Sequence, residues 1–218
     1  MEILIPRIGD SVLALESVRL DEGAELDVRE PDLDSLVFTV AGSGALVLGK
    51  ETTAVESGSA ALVLAGEHAT FVTAAGGLRL IRATVGPGAD RHAPMGPREV
   101  VVALDDASSE QATGSRSFQI LFGPHNGSTR ATLFAGFLPP GRAPWHYHLY
   151  DEIVWVPQGP GRLHLRGSQN ALNAGSTFRL RPREVHIVEN ASPDRELTVI
   201  GVFTPAGSPS AAYRAPDH

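Results

Sequence analysis

The sequence predicts an all-β chain folded as two tandem antiparallel barrels, and three observations carry that prediction. Glycine (23) and proline (16) are scattered along the 218 residues and cut the chain into short segments. Those segments are β-branched or aromatic and often alternate apolar with polar residues, the mark of strands laid on a core. The chain also repeats itself. Gly42, Gly44 and Gly58 map onto Gly159, Gly161 and Gly175 at one offset of 117, and Leu46 and Leu48 map onto Leu163 and Leu165. A turn glycine at φ > 0 tolerates few replacements, so glycines in register argue for a duplicated module better than matched valines do.

The elements follow in order. The first module spans residues 1–86 and includes the segments Leu36–Val40, Ala45–Leu48 and Leu78–Arg82. A polar connector with Pro and Gly covers 87–114. It contains a strand-like run, Glu99–Leu104, and a helical turn at Leu104–Glu110. The second module spans 115–208, with strands expected at Glu152–Val156, Arg162–Arg166 and Leu197–Phe203, and residues 209–218 form a tail.

Composition narrows the function. There is no cysteine, so a metal site would be built from N and O donors alone. Lys and Arg total 18 and form no run, which argues against a nucleic-acid partner. No apolar run approaches the ~18 residues of a membrane span, and the N-terminus lacks a basic segment followed by a long apolar one. A cytoplasmic protein without a membrane partner is expected.

The chemistry concentrates in two stretches of the second module. Gly141–Gly159 carries His146 and His148, two residues apart, with Glu152 four further on. Residues i and i+2 of a strand share a face, so the two imidazoles point one way and Tyr147 the other. Glu152 is in phase if the strand continues, and reachable if a short turn intervenes. Gly175–Asn190 adds His186. Imidazoles with one carboxylate suit first-row divalent ions and leave open coordination positions. In the first module Ser35 stands at the place of Glu152 and Ala69 at that of His186. The two-histidine position falls near Arg29 to Pro31, so the metal expectation applies to the second module alone.

These stretches resemble the two motifs of the cupin family, G-x5-H-x-H-x3/4-E-x6-G and G-x5-P-x-G-x2-H-x3-N. Gly141, His146, His148, Glu152 and Gly159 match the first, with four residues instead of five before the first histidine. Gly175, His186 and Asn190 match the second, with Arg181 and Arg183 where the family has proline and glycine. The resemblance implies two cupin barrels (double-stranded β-helix, or jelly-roll) with a degenerate N-terminal copy. It also implies one divalent transition metal (Fe, Mn, Ni, Zn or Cu) on His146, His148, Glu152 and His186.

Other residues near the motifs are candidates of a second kind. Tyr150 lies between the second and third ligands, where a phenol is placed to donate to a bound substrate as a catalytic group; a ring on the barrel rim is the favoured alternative. Arg142, Arg181 and Arg183 flank the motifs. Arg142 and Arg181 are candidate clamps for a substrate carboxylate, although solvated or paired arginines are commoner. His164 alternates with Leu163 and Leu165. It is a candidate pocket residue, with a solvent-facing ring as the favoured reading. Trp155 and Tyr147 are read as packing residues, and His92, His125, Asn126 and His218 are given no role. The expected function is a metal-dependent enzyme of dioxygenase type acting on a small anionic or chelating metabolite, with a possible homodimer. A metal-dependent isomerase, decarboxylase or hydrolase, or a non-catalytic binding protein, are the alternatives.

Overall fold

The computed structural model describes residues 1–7, 11–112 and 115–214; His218 and the end of the expected tail lie outside them. The first barrel comprises Glu2–Ile5 (β1), Leu13–Leu20 (β2), Glu25–Arg29 (β3), Asp34–Leu48 (β4), Glu51–Glu56 (β5), Ser59–Val63 (β6), His68–Val85 (β7) and Val101–Ala103 (β8). They form one sheet in the order β1-β2-β7-β4-β6-β8, with β3 on β7 and β5 on β4. The second barrel begins with Ser109–Gln111 (β9), Ser117–Phe122 (β10), Thr132–Leu138 (β11), Gly141–Arg142 (β12), His146–His148 (β13) and Asp151–Trp155 (β14). It continues with Gly161–Leu165 (β15), Ser168–Leu172 (β16), Thr177–Leu180 (β17), His186–Asn190 (β18), Leu197–Thr204 (β19) and Ala212–Arg214 (β20). Here two sheets face each other, β17-β14-β19-β11-β10-β9 and β16-β15-β18-β13-β20, with β12 on β18.

Several elements differ from their sequence-based outlines for physical reasons. Leu36–Val40 and Ala45–Leu48 are parts of one 15-residue strand, β4. Its ladder with β7 shifts register between Thr39 and Ala41 and again between Gly42 and Gly44, so the glycines bend the strand without ending it. The repeated glycines are needed for two different reasons. Gly58 and Gly175 sit at φ 90° and 82°. Gly44 and Gly161 instead let chains approach: a Cβ there would fall 2.2 Å from the Val72 carbonyl oxygen and 2.8 Å from Leu197 Cδ2, respectively. The connector is shared out, β8 pairing with β6 and β9 with β10. Its helical turn reduces to a 3-10 turn at Leu104–Asp106. The expected tail contributes β20, paired with the histidine strand β13.

Period-2 alternation sorts the apolar residues between two kinds of core. Leu36 and Phe38 of β4, with Ile81 and Ala83 of β7, meet Ile153 and Trp155 of β14 and Ile200 and Val202 of β19 in a core between the barrels. The two modules thus pack through corresponding strands. The buried Arg130 fastens this seam, its Nη1 donating to the Asp32 carbonyl at 2.9 Å and to Asp34 Oδ1 at 3.3 Å. Residues of the opposite phase fill the barrels: Val37, Leu78 and Leu80 in the first, Val154 and Val199 in the second. With Ile153 and Trp155 committed to the seam, Glu152 necessarily points into the second barrel.

Candidate metal centre

The structure brings His146, His148, Glu152 and His186 into the lining of one cavity of about 100 Å³ in the second barrel. Strand pairing does most of this. His146 lies directly opposite His186 on β13 and β18, which puts the ring centroids 4.4 Å apart. His148, on the same face of β13, has its ring 5.1 Å from that of His186. The chain turns at Leu149–Tyr150, so Glu152 arrives from β14 in the facing sheet. All four side chains are buried.

Each histidine is oriented in the same way. His146 Nδ1 is 2.9 Å from the Pro144 carbonyl oxygen, His148 Nδ1 2.8 Å from that of Tyr150, and His186 Nδ1 2.8 Å from that of Glu184. A carbonyl oxygen can only accept, so each Nδ1 carries the proton and donates it. Each Nε2 is left as a lone pair, the tautomer a metal ligand needs. The clearest consequence is at His148. Its Nε2 lies 2.9 Å from Glu152 Oε2, yet this buried nitrogen has no hydrogen-bond partner. Proximity and hydrogen bonding disagree here: the two atoms are close but not aligned for an N–H···O bond. A cation between them removes that conflict, and about 3 Å is the spacing of adjacent ligands at bonds of ~2.1 Å. The full set is not closed, since among the described residues no three such side chains are arranged as a finished metal cage. The residues present fit a divalent ion in donor type, tautomer and burial.

Electrostatics point the same way. Burial pushes the His146 imidazole down to about 4, with the hydrogen bond to Pro144 opposing it and the Arg116 charge adding to it. Burial, then the neighbouring His146, takes His186 down to about 3. Both rings are therefore neutral and available to a cation at physiological pH. Tyr150 moves the other way: burial, then the Glu152 charge, raises its phenol, which stays protonated.

The surrounding loops hold the two motifs together. Arg183 occupies the family's glycine position in the left-handed region, φ 68°, and its N–H donates to the His148 carbonyl at 2.7 Å. The turn before His186 forms despite the departure from glycine. Asn190 is buried and donates from Nδ2 to the carbonyls of Leu138 (2.8 Å) and Arg195 (2.6 Å), so it ties loops together away from the ligands.

The remaining candidates require correction. Tyr150 is not a rim residue; it is buried, lines the cavity, and stacks on His148 and Phe203 with centroids 4.0 Å away in each case. Its hydroxyl reaches the Pro209 carbonyl at 3.4 Å. Arg142, Arg181 and His164 are outside the cavity lining. Arg142 is exposed on the short strand β12, where it pairs with Glu189 in register, and Arg181 is exposed in the turn before His186. His164 is on the outer face of β15 because Leu163 takes the inner one. Even so its ring is buried, held against Glu189, which also binds Arg162 at 3.0 Å. Trp155 packs in the inter-barrel seam, and Tyr147 stacks on Tyr213 with centroids 5.5 Å apart.

Sequence reasoning missed Arg116, which lines the cavity, and the aromatic wall formed with Phe118, Phe134 and Phe178. The only hint was phase: Arg116, just ahead of β10, and Phe118 within it are two residues apart.

Residues 134–203 match the family model described as a cupin domain. No curated protein matches the chain in sequence. Among solved structures, a variant of the Bacillus subtilis oxalate decarboxylase superposes with a TM-score of 0.76 at 14% identity, covering 94% of this chain and 71% of that one. AerE from Microcystis aeruginosa gives 0.74 at 13%, over 89% and 88% of the two chains. The Lactobacillus farciminis oxalate decarboxylase in its formate complex gives 0.75 at 12%, over 93% and 79%. At such identities the likeness is one of fold.

Proposed function

We propose that the second barrel, of which residues 134–203 match the cupin-domain model, is a metal-dependent enzyme site acting on a small anionic or chelating organic molecule. His146, His148, Glu152 and His186 would hold one divalent transition-metal ion. The observation that carries this reading is His148 Nε2, buried and without a hydrogen-bond partner although 2.9 Å from Glu152 Oε2. The bound ion would supply Lewis acidity toward substrate oxygens and, if iron or manganese, one-electron redox chemistry. Three neutral imidazoles and one carboxylate leave an M(II) centre with a net charge of about +1, which favours an anion.

The chain's own groups do the rest. The main-chain acceptors of Pro144, Tyr150 and Glu184 hold the imidazole tautomers, and the apolar wall excludes water and strengthens each charge interaction. Protonated Tyr150, between His148 and Phe203, can donate to a developing oxyanion once its weak bond to Pro209 opens. Oxygen-dependent oxidation of dioxygenase type is the proposed reaction. Oxalate decarboxylases of the same fold, with manganese(II) centres in the Bacillus subtilis protein, support a second, non-oxidative lyase reading.

Elemental analysis of protein purified under argon tests the first step: on the order of one transition-metal ion per chain is expected. His146→Ala should weaken metal binding by on the order of 100-fold or more. Unchanged metal content in that variant overturns the site. Oxygen uptake on addition of substrate separates oxidation from carbon dioxide release without oxygen.

A further inference from the structure

The reading above concerns donors at one end of the cavity; its other walls carry a further message, about the molecule admitted. Beyond the four donors and Tyr150, the lining is overwhelmingly apolar, with Phe118, Phe134, Phe178, Leu138, Leu180 and Val188 among its members. Arg116 is the one Arg or Lys in that described lining. It precedes β10, and its backbone carbonyl accepts from the Ala112 N–H at 2.8 Å, one step beyond the pairing of β9 with β10. It lines the same cavity as His146, His148, Tyr150, Glu152 and His186.

We propose that the cavity selects a monocarboxylate with an apolar aryl or branched-alkyl body, its carboxylate held by Arg116 and its body laid against the phenylalanine wall. This rests on the cavity being the substrate site, and it narrows the substrate class. A guanidinium offers five N–H donors in a planar fork that matches a carboxylate, so it anchors one end of a ligand without needing all of them. An aromatic wall lowers the free energy of a ligand only where the ligand itself has apolar surface to bury. A small dianion made of oxygens, such as oxalate, leaves that wall unused and would place its second charge against it. The chain itself joins the two features: Arg116, just ahead of β10, and Phe118 within it are two residues apart and both line the cavity.

Isothermal titration of the full-length protein, metal-loaded and metal-free, with phenylacetate, acetate and oxalate tests this. Phenylacetate is expected to bind roughly 10- to 100-fold more tightly than acetate, whose head is the same but whose body is missing, and more tightly than oxalate. Arg116→Leu should weaken phenylacetate by roughly 10- to 100-fold and Arg116→Lys by less, with metal content unchanged. Phe178→Ala should lower affinity for phenylacetate while leaving acetate alone. Oxalate binding the metal-free protein as tightly as phenylacetate overturns the substrate class, and an Arg116→Leu protein that binds phenylacetate as before overturns the anchor. Metal content is measured separately, so a protein that binds phenylacetate through Arg116 but holds no metal refutes the metal reading and not this one.

Discussion

The two barrels solve the same packing problem differently at corresponding positions. On the row where β11, β19 and β14 run together, the second barrel has Phe134 and Val154 on either side of Gly201, with Glu152 two residues before Val154 on β14. The corresponding row of the first barrel has Glu16 opposite Arg82, with Ser35 in the place of Glu152. Arg82 is buried, and each nitrogen of its guanidinium is engaged: Nε donates to Ser35 Oγ at 3.0 Å, Nη1 to Glu16 at 2.8 Å and Nη2 to Glu30 at 2.7 Å. Pairing of Val28 with Ala69 parallels that of His146 with His186, which makes Glu30 the counterpart of His148. Two of the four ligand positions in the first barrel therefore bind a guanidinium. The other two, Val28 and Ala69, are packed in an apolar core. One barrel has closed its centre with a tethered cation, and the other has kept a glycine and a cavity. A glycine at 201 matters because a Cβ there would fall 2.3 Å from Phe134 Cε1 and 3.0 Å from Glu152 Oε1.

The sharpest way to break this contrast is Arg82→Met. It strands two carboxylates inside the first barrel, and a loss of about 3–5 kcal/mol is expected in urea unfolding, with metal content unchanged. Replacing Glu16 and Glu30 by Leu in the same chain should recover most of that loss, because removing the whole network leaves no unpaired charge.

Acid should act on the second barrel. His146 and His186 stay neutral in the folded protein down to about 4 and about 3, whereas an unfolded imidazole takes up its proton near 6.5. Between those values the unfolded chain binds more protons, so stability falls as pH falls. The slope is about 1.4 kcal/mol per pH unit for each ring, or nearly 3 for the pair. Urea midpoints of the metal-free protein between pH 7 and pH 5 check this. A double His146→Gln, His186→Gln variant should flatten the profile, and a slope left unchanged would locate acid sensitivity elsewhere.

The smallest expected effect moves the second barrel one step toward the first. Gly201→Ala pushes Phe134 and Glu152 apart at a cost of about 2 kcal/mol. Metal content should fall with it, since the carboxylate loses its place beside His148. Melting temperature and elemental analysis on the same sample read both.

Much of this was legible in the residues. His146 and His148 announced themselves by spacing, His186 by the second motif, and the duplication by glycines in register. Arg116 and the aromatic wall were not legible, because alternation divides a strand into two faces without saying which one looks inward. Arg142 and Arg181 misled for the opposite reason: nearness to a motif in sequence is not nearness to its cavity when the chain turns between them. The offset itself slipped by one residue between β3 and β13, which hid Glu30 behind the positions 29 to 31.

By itself, then, the sequence determined the strand-rich class, the doubling, and the donor set on one face of β13. These are local properties of periodicity and spacing. Only the tertiary structure decided that Glu152 comes from the facing sheet, that Arg82 closes the first barrel, and that Arg116 opens onto the second. Each depends on which strands become neighbours, and pairing partners far apart in the chain are chosen by the packing of the whole barrel.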